Sequence, residues 1–196
     1  MKVKYFKIIC TVTVASSYSY YNSTDILIIQ LWFTGSGEIN YSLLARQEGH
    51  KRIIWSCSWN PHGHEFATGS RDKTVKIWAV EKDSSIRQLL TLPQFTSSVT
   101  ALSWISLHHQ RDHGLLAVGM ENGQIELWNL SCNRADDGCI AAPGLAAALV
   151  VRLDPFICHA SAVNRLAWKK NQEDHTSMQL ASCGADNCVR VFDVTV

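Results

Sequence analysis

Apolar and polar residues alternate with period two over much of this chain, and the alternating stretches come in pairs joined by short polar turns. Three segments align without a gap: Phe66 to Val80 (FATGSRDKTVKIWAV), Leu116 to Leu130 (LAVGMENGQIELWNL) and Leu180 to Val194 (LASCGADNCVRVFDV). In the first, Val75 and Ile77 alternate with Thr74 and Lys76. The second sets Ile125 and Leu127 against Gln124 and Glu126, and the third sets Val189 and Val191 against Arg190, with Cys188 where the others carry Thr or Gln. Period-two alternation around Asp-Lys, Asn-Gly or Asp-Asn is the pattern of a β-hairpin. A second shared element precedes each hairpin: Ile54 to Trp59 (IWSCSW), Val99 to Trp104 (VTALSW) and Val163 to Trp168 (VNRLAW).

Each unit therefore holds an inner strand ending in Trp, a variable connection and a hairpin. With a further outer strand before the next unit, this is the order of a four-stranded propeller blade. Trp59 and Trp104 are 45 residues apart, whereas Trp104 and Trp168 are 64 apart. The extra length falls between Ser131 and His159, around Asp136-Asp137-Gly138 and Pro143-Gly144, and reads as a loop insertion, with Leu145 to Leu153 able to supply the outer strand. Upstream, Ile26 to Phe33 and Ile39 to Ala45 flank Gly35-Ser36-Gly37 as one more hairpin. The expected organisation is an atypical segment 1–25, the outer hairpin of a partial blade at 26–48, and blades at 49–92, 93–153 (with the insertion) and 154–196. The fold class is thus all-β, an incomplete β-propeller of about three and a half four-stranded antiparallel blades. Rings of this kind close with about 4–8 blades, so an arc of this size leaves strand edges open.

The resemblance to WD repeats rests on Gly49-His50, Asp72 and Trp78. It implies a buried hydrogen-bond chain of His50, Thr68, Asp72 and Trp78, a structural rather than catalytic use of the His and Asp. The third unit keeps His159, Ser182 and Asp186, but Phe192 replaces the Trp and has no donor. The second has Phe95, Val118 and Asn122, so the network is expected to be absent there, leaving Trp128 alone.

Several stretches go beyond a generic WD pattern: HKRIIWSCSWNP (50–61), TGSRDKTVKIW (68–78), AVGMENGQIELWN (117–129), HASAVNRLAW (159–168) and ASCGADNCVRVF (181–192). From about Gly37 onward the chain resembles the final blades of the Elongator complex subunit 2 family, plant versions above all. That resemblance implies a two-propeller scaffold in the complex that modifies wobble uridines of transfer RNA, located in cytoplasm and nucleus. The other Elongator subunits would be its protein partners, the chemistry would lie in a different subunit, and any transfer RNA contact would be weak or indirect. It also implies that the first propeller and most early blades of the second are missing here. The competing reading is an unrelated WD-repeat interaction adaptor, with the same blades and a different surface.

Composition narrows the alternatives. Hydrophobic residues make up 46% and charged residues 18%, enough for a packed core. A formal net charge of +1 shows no basic excess for phosphate neutralisation. The cysteines at 10, 57, 132, 139, 158, 183 and 188 are odd in number and include no C-x-x-C, so they read as reduced thiols, with Cys57 and Cys188 expected to be small buried hydrophobes. Lys2, Lys4 and Lys7 before Ile8 to Ala15 loosely mimic a signal peptide, but the stretch is short, lacks a cleavage site and is far below the roughly 20 apolar residues of a membrane span. Asn22-Ser23-Thr24 is a sequon that only a secreted chain would use.

The resemblance to WD propellers implies a partner-binding face beside the strand-opening His and before the turn Asp, here Lys51, Arg52, Trp55 and Arg71 with Lys73 nearby, four cations and a Trp suited to an acidic segment or an RNA backbone. His62-Gly63-His64 and His108-His109 with His113 lack a completing Cys or carboxylate, so no metal is expected. No G-x-S-x-G, P-loop or H-E-x-x-H occurs, and inner-strand Ser56, Thr100, Asn164 and Arg165 are poor acid–base equipment. No enzyme activity, cofactor, small-molecule substrate or membrane association is expected.

Overall fold

Successive antiparallel strands, each turned back by a polar hairpin, build the computed structural model, which describes residues 27–34, 41–61, 64–81, 83–107, 113–134, 140–170 and 177–195. The segment 1–25 and the paired histidines at 108 and 109 lie outside these residues. A two-stranded sheet pairs β1 (Leu27–Thr34) with β2 (Tyr41–His50). The first four-stranded sheet follows in chain order: β3 (Ile54–Trp59), β4 (Glu65–Ser70), β5 (Val75–Val80) and β6 (Ile86–Thr91). The second holds β7 (Val99–Ser106), β8 (His113–Met120), β9 (Ile125–Arg134) and β10 (Ile140–Leu153). The last has three strands among the described residues, β11 (Val163–Lys170), β12 (Ser177–Gly184) and β13 (Val189–Thr195). These sheets are the blades of an incomplete WD-type propeller.

The hairpin turns repeat one geometry because the sequence repeats one turn. Lys73, Gly123 and Asn187 all take positive φ (66°, 86° and 60°). Each donates its N–H back three residues, to Ser70, Met120 and Gly184. The next bond closes the pair: Ser70 to Thr74, Met120 to Gln124 and Gly184 to Cys188. A tight turn ending in one left-handed residue is a standard three-residue hairpin connection.

The sheets stack face to face. Val75 and Ile77 of β5 are fully buried beneath Val99, Leu102 and Trp104 of β7, in a cluster that reaches Trp128. Ile125 and Leu127 of β9 are buried in the same way against Val163 and Leu166 of β11. Two glycines set the closeness of these seams. A Cβ on Gly69 would lie 2.5 Å from Val99 Cγ1, and one on Gly119 would lie 2.7 Å from Val163 Cγ1. Polar bonds cross the same seams: Ser56 and Ser58 hydroxyls accept the Leu102 and Trp104 N–H groups at 2.9 Å. In the next seam Thr100 donates to the Val163 carbonyl at 2.6 Å, and the Trp168 indole donates to Ser103 at 2.9 Å.

Two expectations are corrected here, and one contrast between the blades is added. The extra length after Ser131 is mostly strand rather than loop: β9 continues to Arg134 and β10 begins at Ile140, pairing Leu145 with Cys132 across a register shift. An Ala-rich, uncharged run next to a free strand edge satisfies its backbone most simply by extending the ladder. Cys57 and Cys188 are exposed, whereas Cys132 and Cys158 are buried. Val189 and Val191, aligned with buried pairs in both earlier sheets, are 74% and 60% exposed, while Arg190 is half-buried.

Candidate functional site

In the first blade the buried polar atoms form a chain with one direction. The Trp78 indole N–H donates to Thr68 Oγ1 at 2.8 Å. The Thr68 hydroxyl lies 2.8 Å from His50 Nε2, and His50 Nδ1 lies 2.9 Å from Asp72 Oδ2. A carboxylate only accepts, so Nδ1 carries the proton and Nε2 accepts from Thr68. Asp72 accepts in addition from the Lys51 and Thr74 N–H groups and, at 2.6 Å, from the Thr74 hydroxyl. Burial pushes its carboxyl up, but the His50 and Thr74 hydrogen bonds and the Lys51 N–H outweigh that and hold it well below the usual carboxylate range.

The third blade repeats the pattern with a substitution. His159 Nε2 lies 2.8 Å from Ser182 Oγ, and Nδ1 lies 2.8 Å from Asp186 Oδ1. No indole reaches Ser182, since Phe192 stands at that position. Arg190 instead donates to Asp186 Oδ2 at 3.1 Å. Burial again raises the Asp186 carboxyl, and the bonds from His159, Ala160 and Cys188 overcome it, keeping it well below the ordinary range.

The second blade overturns the expectation that Trp128 stands alone. Its indole donates to Glu126 Oε2 at 3.0 Å, and Arg152 of β10 holds the other oxygen at 2.7 Å. Glu126 is 2% exposed, so a buried carboxylate two residues before the Trp replaces the Thr–His–Asp chain. Phe95, at the His position, packs edge-on against Trp128 at 6.0 Å between ring centroids. A glutamate inside an apolar alternation was the available signal in the sequence; its partner Arg152 lies too far along the chain to be recognised by spacing.

Hydroxyl, imidazole and carboxylate in a row have the connectivity of a nucleophilic triad. Thr68 is fully buried and already accepts an indole N–H, and Ser182 is 2% exposed. Neither oxygen has room for an attacking geometry, so the rows tie each hairpin to the segment that leads into its blade.

The candidate partner face lies at the same end of the first blade. Lys51 and Arg52 fill the turn between β2 and β3, and Arg71 and Lys73 sit in the turn between β4 and β5; all four are exposed. The turns are stitched together by Arg71 N–H to the Ile53 carbonyl at 2.8 Å and Ser70 Oγ to the Arg52 carbonyl at 3.0 Å. Lys73 Nζ bonds the Thr96 carbonyl at 3.2 Å. Asp72, the anion between them, is spent inward on His50 and Thr74, which leaves the surface of these turns positive. The equivalent turns carry Glu121-Asn122 and Ala185-Asp186, so the basic character belongs to the first blade.

Trp55 joins this end through a feature that alternation alone does not reveal. The β3–β4 register slips between Ile54 and Ser56, and the same slip recurs between Val99 and Ala101 and between Val163 and Arg165. A bulge re-aims the residue it carries. Trp55, Thr100 and Asn164 occupy the three bulges, and Trp55 is 41% exposed. Among the described residues no three His, Cys, Asp or Glu converge as a metal site, and no helix is long and apolar enough to cross a membrane.

Comparison with known proteins follows the same lines. Residues 41–79 and 151–193 match the family described as WD domain, G-beta repeat. The Elongator complex protein 2 of Arabidopsis thaliana is 55% identical over 82% of this chain and 19% of its own length. That of Schizosaccharomyces pombe is 34% identical over 81% of this chain and 20% of its own, and that of Dictyostelium discoideum 31% over 82% and 18%. The chain spans about a fifth of the length of these curated relatives. With its blades, hairpin turns and family match together, the chain belongs to the WD-repeat family and is a relative of Elongator complex protein 2.

Proposed function

We propose that this chain is a non-catalytic WD-repeat scaffold segment of Elongator, holding other subunits in place for wobble-uridine modification of transfer RNA in cytoplasm and nucleus. The observation that carries the reading is the 55% identity to the Arabidopsis protein across 82% of the chain. The site chemistry supports it. The imidazoles and carboxylates of the His50–Asp72 and His159–Asp186 rows are consumed in buried bonds, while the exposed side chains of the two turns at that end of the first blade, Lys51, Arg52, Arg71 and Lys73, are cations suited to an acidic protein segment. The bulged Trp55 beside them supplies an aromatic anchor of the kind enriched at interfaces.

Charge reversal of Arg52 and Arg71 tests the face. Both side chains are exposed and only their backbone atoms hold the turns, so R52E/R71E keeps the wild-type melting temperature within about 2 °C. The same variant, tagged and expressed at native level, recovers the other Elongator subunits at least about tenfold less well than wild type. Undiminished recovery with an unchanged melting temperature would remove the face from the proposal. Failure of the wild-type chain to recover any Elongator subunit would favour the unrelated adaptor.

A further inference from the structure

We infer that the protein segment docking on the first blade is bipolar, with acidic residues over the first blade and a cation over the hairpin turn of the second. The inference rests on the reading that Lys51, Arg52, Arg71 and Lys73 form a docking face, and it names what docks there. The turns it uses belong to the two blades that have a sheet packed on either side. A propeller ring closes by adding blades side by side at the two ends of an arc, so closure does not cover these turns.

The two turns stand beside each other because one short segment is bonded to both. Phe95 N–H donates to the Lys73 carbonyl at 3.0 Å, and Lys73 Nζ donates to the Thr96 carbonyl at 3.2 Å. At the other end, Glu121 N–H donates to the Ser98 carbonyl at 2.9 Å, and the Thr96 hydroxyl reaches Gln124 Oε1 at 3.1 Å. The steps from Phe95 to Ser98 cover roughly 10 Å when fully extended, and one hydrogen bond is added at each end. The backbones of Lys73 and Glu121 therefore lie within about 16 Å of each other, the reach of about five extended residues.

Charge reverses over that span. The first turn presents Arg71 and Lys73 on either side of the inward Asp72, whereas the second presents Glu121 and Asn122, both exposed. Glu121 stands where the first blade has Arg71, and among the described residues no ion pair or side-chain hydrogen bond engages its carboxylate. The third turn exposes only Ala185 and Asn187 around Asp186, so the pattern ends at the second blade. A polyanion such as an RNA backbone would be held at the first turn and repelled at the second, and a uniformly cationic segment would fail at the first. A few carboxylates followed, about three to five residues on, by lysine or arginine match both turns at once.

Fluorescence anisotropy on the intact chain at low salt tests this with three labelled probes. They are the end-blocked peptide Glu-Glu-Glu-Gly-Ser-Gly-Lys-Lys, a peptide of the same composition with its charges interleaved, and an oligouridine of similar length. The block peptide is expected to bind about fivefold more tightly than the interleaved one, with the oligouridine weakest. E121K weakens the block peptide about fivefold and strengthens the oligouridine, because it extends the positive surface across both turns. Glu121 is exposed, so folding is not at stake in that variant. Equal binding of the two peptides, no binding of the block peptide, its undiminished binding to E121K, or oligouridine as the tightest probe overturns the inference. Loss of Elongator subunits from R52E/R71E alongside any of these results would leave the docking face standing and refute only its bipolar partner. Their undiminished recovery would refute the face itself.

Discussion

Replacing Asp72 with alanine is expected to lower stability by about 3 kcal/mol, the cost of leaving buried donors without an acceptor. Asp72 serves His50 Nδ1, two backbone N–H groups and the Thr74 hydroxyl at once. With His50 only 4% exposed, water does not readily take the carboxylate's place. In a domain of this size about 1 kcal/mol moves the midpoint by about 2–4 °C, so calorimetry should show a fall of about 6–12 °C. The pH dependence has a definite sign. Asp72 has its folded pKa depressed below the ordinary 3.8, so its contribution is fully present above that pH and is lost as pH falls through the folded value. The stability difference between wild type and D72A should therefore be constant above about pH 4 and shrink steadily below it. A D72A variant that melts within about 2 °C of wild type at neutral pH would show that the chain of bonds carries little energy.

The second large effect is expected at Gly123. Its φ of 86° lies in the left-handed region, and a Cβ there would sit 1.9 Å from the His159 carbonyl oxygen. That contact is with the backbone of the adjoining blade, so no side-chain rotation relieves it. G123A is expected to cost about 3–5 kcal/mol from backbone strain and forced separation of the second and third sheets. Gly144 is the internal control. It has a similar φ of 93° with nothing within 4 Å of where a methyl would sit, so G144A should cost only about 1–2 kcal/mol. Urea unfolding of the two variants separates clash from strain. Amide exchange should quicken most in β11, β12 and β13, with β3, β4 and β5 nearly unchanged. Equal losses for the two alanine variants would mean that the seam yields to the methyl.

Hairpins, inner strands and the blade order were legible in the chain because their causes are local. A two-residue alternation on either side of Asp-Lys, Asn-Gly or Asp-Asn specifies a turn whatever lies around it, as the shared φ sign of Lys73, Gly123 and Asn187 illustrates. The His50, Thr68, Asp72 and Trp78 set was readable for the same reason, since a repeat marks equivalent positions even when they are 10 to 22 residues apart.

What the sequence did not disclose depends on neighbours that it brings together from a distance. Glu126 looks like a solvent-facing strand residue until Arg152 and Trp128 close on it. Val189 and Val191 look like core, yet alternation names only two faces and does not say which of them another sheet will cover. Cys57 and Cys188 likewise carry the hydrophobicity of interior residues and lie on the surface. Local pattern thus determined which strands form and how each turns back. Burial is a property of the pair of surfaces that meet, so only the tertiary structure decided which polar groups are sealed together and which strand faces pack against a neighbouring sheet.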